Sequence, residues 1–380
     1  MKVAIVGPYP LNPYVLRGGV EAATHYLVQG LIQRDDVDLR IFAPTKSVDR
    51  DTLVKHKNVT VHYLAEKKRR LMPNMIANIR RLSSAIDKWH PDLVHAEHPC
   101  GALAGSNAQY PTVFTIHGVI HREQKYTTGS IVLLLNRSLL NHLTKKALLL
   151  SDYVIPVSPY VVSEYKPLIR GGIRIIPNAV DDSFFHIPNA DAGSFLLYVG
   201  NISPLKNITG LIHAFRLILD RVPDSKLMIA GIASSRLYSK EVNALVSDLS
   251  LADNVHFLGT LDQSELEKQY AQSSIVCHFS SHETFCLALS QGMAAGKPVV
   301  STDSGGPSSL IDDGRTGYLV PVGDENAFAD RCIKLLSDTK LRKRMGDEAR
   351  KEALASFSKE IIAEKTVEVY REVLGTNACY

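Results

Sequence analysis

The sequence predicts an α/β protein built from two doubly wound halves, and three observations support this prediction. Short runs of β-branched residues alternate with longer helical patterns, which is typical of parallel sheets covered by helices. The alternation stops once, in an Asp-, Asn-, Gly- and Pro-containing segment at residues 181–194, and then starts again. The 380 residues also exceed what one hydrophobic core usually holds, since a domain contains roughly 150 residues.

Seven strands are predicted in the first half of the chain. Several of them are apolar on both faces, as strands are in a parallel sheet that helices cover on both sides. A helical pattern of apolar residues lies between the first two strands, at Val20, Ala23, Leu27 and Leu31. The strand sequences, each with its first residue, are KVAIV (Lys2), DLRIFA (Asp38), VTVHYL (Val59), DLVHA (Asp92), TVFTIH (Thr112), YVIPVS (Tyr153) and IRIIPN (Ile173).

The second half repeats this arrangement, and three helical patterns close the chain after Asp324. We place a linker at residues 181–194 and divide the chain into domains at 1–187 and 188–356. Open α/β sheets bind ligands at the carboxyl ends of their strands, so two facing sheets predict one cleft between the domains. The predicted strands are FLLYVG (Phe195), KLMIAG (Lys226), NVHFLG (Asn254), SIVCHFS (Ser274) and PVVST (Pro298).

Composition and charge exclude several classes of protein. Hydrophobic residues make up 45% of the chain and charged residues 22%, which excludes a disordered tail, a fibrous repeat and a disulfide-stapled miniprotein. A net charge of +4 over this length is too small to predict nucleic acid as the main partner.

The sequence also predicts a cytoplasmic protein. The five cysteines are odd in number and form no CxxC pair, so free thiols in a reducing compartment are expected. The first strand has only four apolar residues, Val3 to Val6, whereas a secretory leader needs roughly 7–15. No window approaches the roughly 20 apolar residues of a spanning helix.

Two glycine pairs precede helical patterns and have the composition of anion sites. They are Gly18-Gly19, and Gly305-Gly306 before Pro307. Backbone N–H groups at a helix start can approach an anion closely where no side chain intervenes. The alternative is a tight turn without a ligand. The first pair lacks the third glycine of the G-x-G-x-x-G fingerprint, which argues against a nicotinamide dehydrogenase.

Three charged or titratable residues follow predicted strands and are candidates for the site. Lys206 can meet a phosphate as a point charge. Glu283 can accept hydrogen bonds from ligand hydroxyls, and His117 can contact a reacting group. The alternatives are a solvated lysine, a carboxylate stabilised by a helix dipole and an ordinary polar histidine.

The histidine spacing does not predict a metal site. His117 and His121 are four residues apart, and His95 and His98 are three apart with Glu97 between them. Neither pair comes with a set of cysteines or carboxylates at ligand spacing. The chain also has no GxSxG elbow and no P-loop motif.

These motifs, in this order, resemble the retaining glycosyltransferases of family four (glycosyl transferases group 1), which have the GT-B fold. The resemblance implies an acceptor-binding domain at 1–187, a nucleotide-sugar-binding domain at 188–356 and a C-terminal segment at 357–380 that packs back on the first domain. It is carried by GGVE, PDLVHAEH, TIHG, SDYVIPVS, IPNAVD, YVGNISPLKN and the block HETFCLALSQGMAAGKPVVSTDSGGPSSLIDDGRTGYLVPVGD.

The resemblance also implies a site and a mechanism. The acceptor attacks on the face from which the leaving group departs, without an enzyme nucleophile or a metal. This suits a site that offers a lysine and backbone dipoles to a diphosphate on which charge develops. The implied catalytic residues are His117, Glu283 and Lys206. The implied donor-binding residues are Gly18, Gly19, Gly200, Asn201, Lys206, Glu283, Phe285, Cys286, Leu287 and Gln291.

Four residues depart from the family pattern. Asn201 stands where the family usually has an arginine, and Gln291 stands where it has a second glutamate. Thr284 and Cys286 replace glycines on either side of the family's phenylalanine.

The sequence therefore predicts a hexosyltransferase that uses a nucleotide sugar, needs no cofactor and acts on a glycan or lipid-linked acceptor. Two alternatives are kept open: a nucleotide-sugar-binding partner subunit that has lost turnover, and a GT-B nucleotide-sugar epimerase. An epimerase would need acid and base carboxylates across the cleft, and no clear set is present.

Residues 66–88 read as a basic amphipathic helix. Such a helix can lie on an anionic membrane surface, which predicts peripheral contact with the cytoplasmic membrane face. The alternative is a helix that faces the core and exposes a solvated basic side. Loops of the first domain such as 118–130 would form the acceptor pocket, and their specificity cannot be read from one sequence.

Overall fold

The chain forms two compact units in the computed structural model, which describes residues 1–56, 59–66, 74–126, 131–188 and 193–375. Each unit is a sheet of mainly parallel strands covered by helices, which confirms the predicted α/β class with two doubly wound sheets. Unit 1 comprises Met1–Pro13, Gly19–Ala179 and Lys359–Tyr380, and unit 2 comprises Tyr14–Gly18 and Val180–Ser358.

The sheet of unit 1 has the strand order β3-β4-β2-β1-β5-β6-β7-β8. All neighbouring pairs are parallel except β3 with β4, which is antiparallel. Its strands are β1 (Lys2–Val6), β2 (Asp38–Thr45), β3 (Thr52–His56), β4 (Val59–Ala65), β5 (Leu93–Ala96), β6 (Thr112–Ile116), β7 (Tyr153–Pro156) and β8 (Gly172–Ile173).

Helices cover the sheet of unit 1, and the last of them comes from the C-terminal segment. The helix α1 buries the predicted face that contains Ala23, Leu27 and Leu31. It also packs closely on α14, the final helix of the chain. The helices are α1 (Gly19–Leu31), α2 (Asn74–Asp87), α3 (Pro99–Asn107), α4 (Ile120–Glu123), α5 (Ile131–Leu150), α6 (Pro159–Tyr165) and α14 (Lys359–Val373).

The sheet of unit 2 has the strand order β11-β10-β9-β12-β13-β14, and its neighbouring strands are all parallel. The strands are β9 (Phe195–Val199), β10 (Lys226–Ala230), β11 (Val255–Gly259), β12 (Ile275–His278), β13 (Val299–Thr302) and β14 (Gly317–Val320). The helices are α7 (Asp182–Phe185), α8 (Ile208–Arg221), α9 (Arg236–Asp248), α10 (Gln263–Gln272), α11 (Leu287–Ala294), α12 (Glu325–Ser337) and α13 (Thr339–Phe357).

Local sequence signals explain several helix starts in unit 2. The helix α10 begins with a complete capping box between Asp262 and Glu265. Asn207 adopts a left-handed conformation before α8, and its side chain accepts a hydrogen bond from the backbone N–H of Gly210. Both caps lie in loops that follow the carboxyl ends of strands, β9 for Asn207 and β11 for Asp262.

Three strand predictions need correction. The strands β3 and β14 were missed; both lie at the edge of a sheet, and β3 is half exposed. The predicted strand IRIIPN pairs as β8 only at Gly172–Ile173. It lies at the sheet edge, where it has a single neighbouring strand.

The segment 180–187, assigned from sequence to the first domain, belongs to unit 2. The Phe184 ring packs edge-on against Tyr270, with the ring centroids 5.3 Å apart. The Ile187 carbonyl accepts a hydrogen bond from the Arg350 guanidinium at 2.6 Å. The packing of Phe184 and the hydrogen bond from Arg350 thus hold the first part of the predicted linker against unit 2. Residues 189–192 of the predicted linker lie outside the described residues.

The helix α2 covers the described part of the predicted basic helix, and it faces the core. Ile79, Leu82 and Ile86 are buried, and Arg81 donates to an Asp51 carboxylate oxygen at 2.6 Å. Residues 67–73, which carry most of the basic run, lie outside the described residues. In the part of the chain that the structure describes, no helix combines the length and the apolar character that a membrane crossing requires.

We expect Gly30→Ala to lower the melting temperature. A Cβ at Gly30 would lie 2.4 Å from the backbone oxygen of Lys359, so α1 and α14 could not keep their spacing. Overpacking costs about 1–3 kcal/mol, against about 1 kcal/mol that alanine gains over glycine in a helix. Thermal unfolding measures the change.

Gly19→Ala is the matched control in the same helix, because no atom lies within 4 Å of a Cβ at Gly19. Its effect should stay within about 0.5 kcal/mol. Equal melting temperatures for Gly30→Ala and the unmodified protein would contradict the close packing of α1 on α14.

Candidate active site

A buried ion pair joins two of the predicted site residues in unit 2. Lys206 lies in the turn after β9, and Glu283 lies between β12 and α11. The Lys206 Nζ atom is 2.6 Å from Glu283 Oε1, and the Ser280 hydroxyl donates to the same oxygen at 2.9 Å. The sequence proposed Lys206 and Glu283 separately, and the structure brings them into direct contact.

The second glycine pair holds the backbone of Glu283 in place. The Glu283 N–H donates to the Ser304 carbonyl at 3.0 Å, and the Gly306 N–H donates to the Glu283 carbonyl at 2.8 Å. A Cβ at Gly306 would lie 2.4 Å from the backbone nitrogen of Phe285. Packing therefore requires glycine at position 306. This agrees with the tight turn that the sequence offered as the alternative to an anion site.

The Glu283 carboxylate is ionised although it is only 7% exposed. Burial by itself would raise its pKa, but the charge and the hydrogen bond of Lys206, with a smaller contribution from the His278 ring 3.7 Å away, outweigh this and hold the pKa well below its ordinary value. The Lys206 side chain is 21% exposed. A fixed carboxylate and a partly accessible ammonium group thus lie side by side.

The start of α11 places three predicted residues next to this pair. Phe285 packs edge-on against Phe357, with the ring centroids 5.8 Å apart. Cys286 precedes the helix with a φ of 79°, in the left-handed region that favours glycine. The backbone N–H groups that begin with Leu287 belong to the first turn of α11, which makes them donors for an anion. Burial raises the pKa of the Cys286 thiol, so it is neutral.

Gln291 lies about one turn further along α11 and is buried. Its Oε1 atom is 3.1 Å from the hydroxyl of Tyr270, which is also 3.0 Å from the Ala288 carbonyl. The side-chain amide is thereby oriented within the unit. Tyr270 was not foreseen from the sequence, since an isolated tyrosine in an amphipathic helix gives no signal.

The turn after β9 contains Gly200 and Asn201. A Cβ at Gly200, whose φ is 155°, would lie 2.9 Å from the Tyr198 hydroxyl. That hydroxyl donates to the Asn201 carbonyl at 2.9 Å, and the Tyr198 ring packs on His278 with a centroid distance of 4.6 Å. Asn201 itself is exposed. Tyr198 therefore shapes the turn, a role that the sequence analysis missed.

Gly18 and Gly19 are exposed, and α1 begins at Gly19. No atom lies within 4 Å of a Cβ at either position, and neither residue has a left-handed φ. The packing of the chain itself therefore does not require glycine at these positions, unlike at Gly306.

His117 lies in unit 1, at the end of β6, where its ring contacts a buried carboxylate. His117 Nε2 is 2.5 Å from Glu97 Oε2, and His95 Nε2 is 3.3 Å from Glu97 Oε1. The sequence analysis considered His95 and Glu97 only as metal ligands. Their alternate positions on a strand next to β6 are the signal that could have identified them as partners of His117.

The other two histidines of the pairs considered for metal binding have separate roles. His98 caps α3, where its Nδ1 atom accepts a hydrogen bond from the Cys100 N–H at 3.3 Å, and burial lowers its pKa to about 4. His121 lies 2.8 Å from a Glu164 carboxylate oxygen. Neither sequence pair converges on one point.

Sequence families match most of each unit. The family described as "Glycosyltransferase Family 4" matches residues 17–184, and the family described as "Glycosyl transferases group 1" matches residues 180–352. The chain is a family-4-like GT-B glycosyltransferase. The resemblance seen in the sequence motifs and the enzyme class that it implied are both confirmed.

Relatives of this glycosyltransferase cover most of its length. It is 27% identical over 321 residues to the N-acetyl-alpha-D-glucosaminyl L-malate synthase of Bacillus anthracis, a match that covers 80% of each protein. It shares the fold of a sucrose-phosphate synthase from Thermosynechococcus elongatus, with a TM-score of 0.83, 21% identity and coverage of 99% and 100%. Anabaena HepE in complex with UDP-glucose matches with a TM-score of 0.74, 20% identity and coverage of 98% and 100%.

One group of metal-ligating side chains occurs in the described part of the glycosyltransferase. The ligand atoms of His278, Glu283 and Cys286 all lie within 4.8 Å of one another. The ammonium group of Lys206 is already bound to the Glu283 carboxylate. A divalent cation there would have to overcome the positive charge of Lys206 and the neutral state of the buried Cys286 thiol.

The depressed pKa of Glu283 predicts a pH-dependent contribution to stability. Its ordinary pKa is 4.5, so the ionised side chain stabilises the folded protein above that pH, and this stabilisation is lost as the pH falls toward the lower folded-state pKa. The difference in melting temperature between the unmodified protein and Glu283→Gln should be largest near pH 7 and should shrink below about pH 4.5.

Thermal unfolding of both proteins across this pH range measures the effect. Glu164→Gln is a control carboxylate in unit 1, where Glu164 is paired with His121 and Arg122. A Glu283→Gln difference that stays constant with pH would show that the carboxylate is not held ionised by Lys206.

Proposed function

We propose that this glycosyltransferase is a retaining, metal-independent enzyme that moves a hexose-type sugar from a nucleotide-sugar donor to a glycan or lipid-linked acceptor. The observation that carries the proposal is the buried Lys206–Glu283 pair beside the start of α11. The structure of HepE with UDP-glucose supports a uridine diphosphate sugar as the donor.

In this proposal Lys206 neutralises the diphosphate leaving group. Negative charge grows on the diphosphate as the glycosidic bond to the sugar breaks, so a fixed positive charge stabilises the transition state more than the ground state. Glu283 and the short turn Pro204–Lys206 hold the ammonium group before the donor arrives. The backbone N–H groups at the start of α11 would donate further hydrogen bonds to the diphosphate, and so would those of Gly18 and Gly19. Each of these groups carries a partial positive charge, as the ammonium group carries a full one.

Glu283 binds sugar hydroxyls rather than attacking the sugar. Lys206, Ser280 and His278 all approach its Oε1 atom, which leaves Oε2 to accept hydrogen bonds from hydroxyl groups. A carboxylate paired with a lysine is a weak nucleophile, so the chemistry fits attack by the acceptor on the leaving-group face. Such attack retains the anomeric configuration without a covalent enzyme intermediate.

The same charge balance supports the proposed metal independence. Many transferases use a divalent cation to neutralise the diphosphate, and here a lysine and helix-terminal N–H groups offer that charge. Gln291 would contact the ribose of the donor, and Asn201 would contact one of its phosphates. Both side chains are neutral. Hydrogen bonds to charged groups contribute about 1.5–3 kcal/mol and neutral ones about 1 kcal/mol, so donor binding would depend more heavily on Lys206.

The acceptor belongs to unit 1 in this proposal. Two similar proteins are named for different products, N-acetyl-alpha-D-glucosaminyl L-malate and sucrose phosphate, so the acceptor does not follow from the family. A lipid-linked acceptor and peripheral membrane contact through residues 66–88 remain part of the proposal, and Arg80 of α2 is exposed. Co-sedimentation with anionic liposomes, and its loss on charge reversal of the lysines and arginines at 67–70, tests this contact.

We expect one class of nucleotide sugar to stabilise the protein in the presence of EDTA. Thermal unfolding is measured against UDP-, GDP- and ADP-sugars, with the free nucleotides as controls. A donor at about 100 times its dissociation constant adds about 2.7 kcal/mol of apparent stability. A shift with a UDP-sugar that EDTA leaves unchanged supports the proposal, whereas no shift with any donor contradicts it. Binding without transfer to any acceptor would favour a partner subunit.

Lys206→Ala should lower kcat by about 100- to 1,000-fold, the usual effect of removing one donor that stabilises transition-state charge. Lys206→Arg should recover part of the rate, because it restores the positive charge with a different shape. The matched control is Lys240→Ala, an exposed lysine of α9. Steady-state release of nucleotide measures the rates, and equal kcat values for Lys206→Ala and the control would exclude the leaving-group role.

A further inference from the structure

A chain of buried polar side chains in unit 1 leads from the C-terminal helix to His117. His95 lies on β5, and Glu97 follows two residues later, directly after the strand. Thr115 lies on β6, and His117 follows two residues later, also directly after the strand. Because side chains on a strand alternate between faces and β5 pairs with β6, these four residues share one face of the sheet. Tyr370 of α14 contacts one of them, His95.

The distances along this chain define its hydrogen bonds. The Tyr370 hydroxyl is 2.6 Å from His95 Nδ1, and the Thr115 hydroxyl is 2.6 Å from His95 Nε2. Glu97 Oε2 is 2.5 Å from His117 Nε2. Desolvation lowers the pKa of the buried His95, which is therefore neutral and can accept the Tyr370 proton at Nδ1 while donating from Nε2.

Glu97 is ionised at the centre of this chain. It is 3% exposed, and burial alone would raise its pKa, but the hydrogen bond that His117 donates to Oε2 favours the ionised form, and the pKa is lowered. A buried carboxylate must be compensated by donors. Room for it is provided by Gly7 at the end of β1, where a Cβ would lie 2.7 Å from the Cβ of Glu97.

An ionised Glu97 can only accept a hydrogen bond, so the proton between the two residues belongs to His117 Nε2. We propose that Glu97 is a positioning residue: it holds the His117 ring with its proton on Nε2, which makes Nδ1 the acceptor nitrogen of the ring. The part of this inference that concerns substrate rests on the proposed function, in which His117 lies near the transferred sugar. On the other side of Glu97, Tyr370 and Thr115 hold the His95 ring, whose Nε2 atom lies 3.3 Å from Glu97 Oε1.

The test is Glu97→Gln, which keeps the size and an acceptor oxygen but removes the charge. Ring-nitrogen NMR with labelled histidine reports the tautomer of His117. We expect one Nε2-protonated form in the unmodified protein and a mixture of both tautomers in the variant. We expect kcat to fall about 10- to 100-fold, the size of effect seen when the partner of a functional histidine is removed. The donor KM should change little, since substrate binding is not removed.

Glu164→Gln is the matched spectroscopic control, because Glu164 also binds a histidine, His121, through Nε2 at 2.8 Å. It should alter the His121 resonances and leave those of His117 unchanged. Glu97→Asp keeps the charge on a shorter side chain, so it should restore part of the Nε2-protonated form and part of kcat. Circular dichroism identifies any variant that fails to fold, and Glu97→Asp then carries the test.

A folded Glu97→Gln protein that keeps His117 in the Nε2-protonated form overturns the proposal, as does a lost tautomer with kcat unchanged. The NMR measurement needs no substrate. If the unmodified protein transfers no sugar, the proposed function fails, while the tautomer still decides whether Glu97 holds His117. If transfer occurs and His117→Ala is fully active, the substrate role of His117 fails separately.

Discussion

The site in unit 2 depends on the need to compensate a buried negative charge. Glu283 can be ionised inside the protein only because Lys206 and Ser280 contact one of its oxygens and because its backbone is tied to the loop after β13. The close approach of Gly306 and the aromatic contact of Phe285 with Phe357 serve the same end, since both fix the segment that carries the carboxylate. Removing any of these contacts would leave the buried Glu283 carboxylate less firmly held, in a place where water does not solvate it.

Unit 1 solves a related problem with neutral partners. Its buried carboxylate, Glu97, is balanced by imidazole rings rather than by a lysine. A neutral imidazole can donate a hydrogen bond from one nitrogen and accept one at the other, whereas an ammonium group only donates. The two halves of the chain therefore offer different chemistry on similar parallel sheets: a cation on one, and a hydrogen-bonded imidazole on the other.

The sequence predicted the α/β class, most strands and the individual residues Lys206, Glu283 and His117, because strand periodicity and glycine-rich turns are local signals. It did not predict the contacts around these residues. Ser280, Tyr270 and Tyr370 are ordinary residues in sequence, and only strand order and helix packing bring them beside Glu283, Gln291 and His95 respectively. The sequence analysis missed the edge strand β3 and assigned 180–187 to the first domain for the same reason. The structure of each segment depends on the residues that it packs against.

The route of the chain through unit 1 has a consequence for synthesis. Unit 2 is nearly continuous, from Val180 to Ser358, whereas unit 1 needs the helix that begins at Lys359 to complete its core. The ribosome releases that helix after all of unit 2, so unit 2 can fold during translation before Tyr370 contacts His95. Until then the polar residues around Glu97 lack one wall, and truncated or stalled chains would expose them to quality-control proteases.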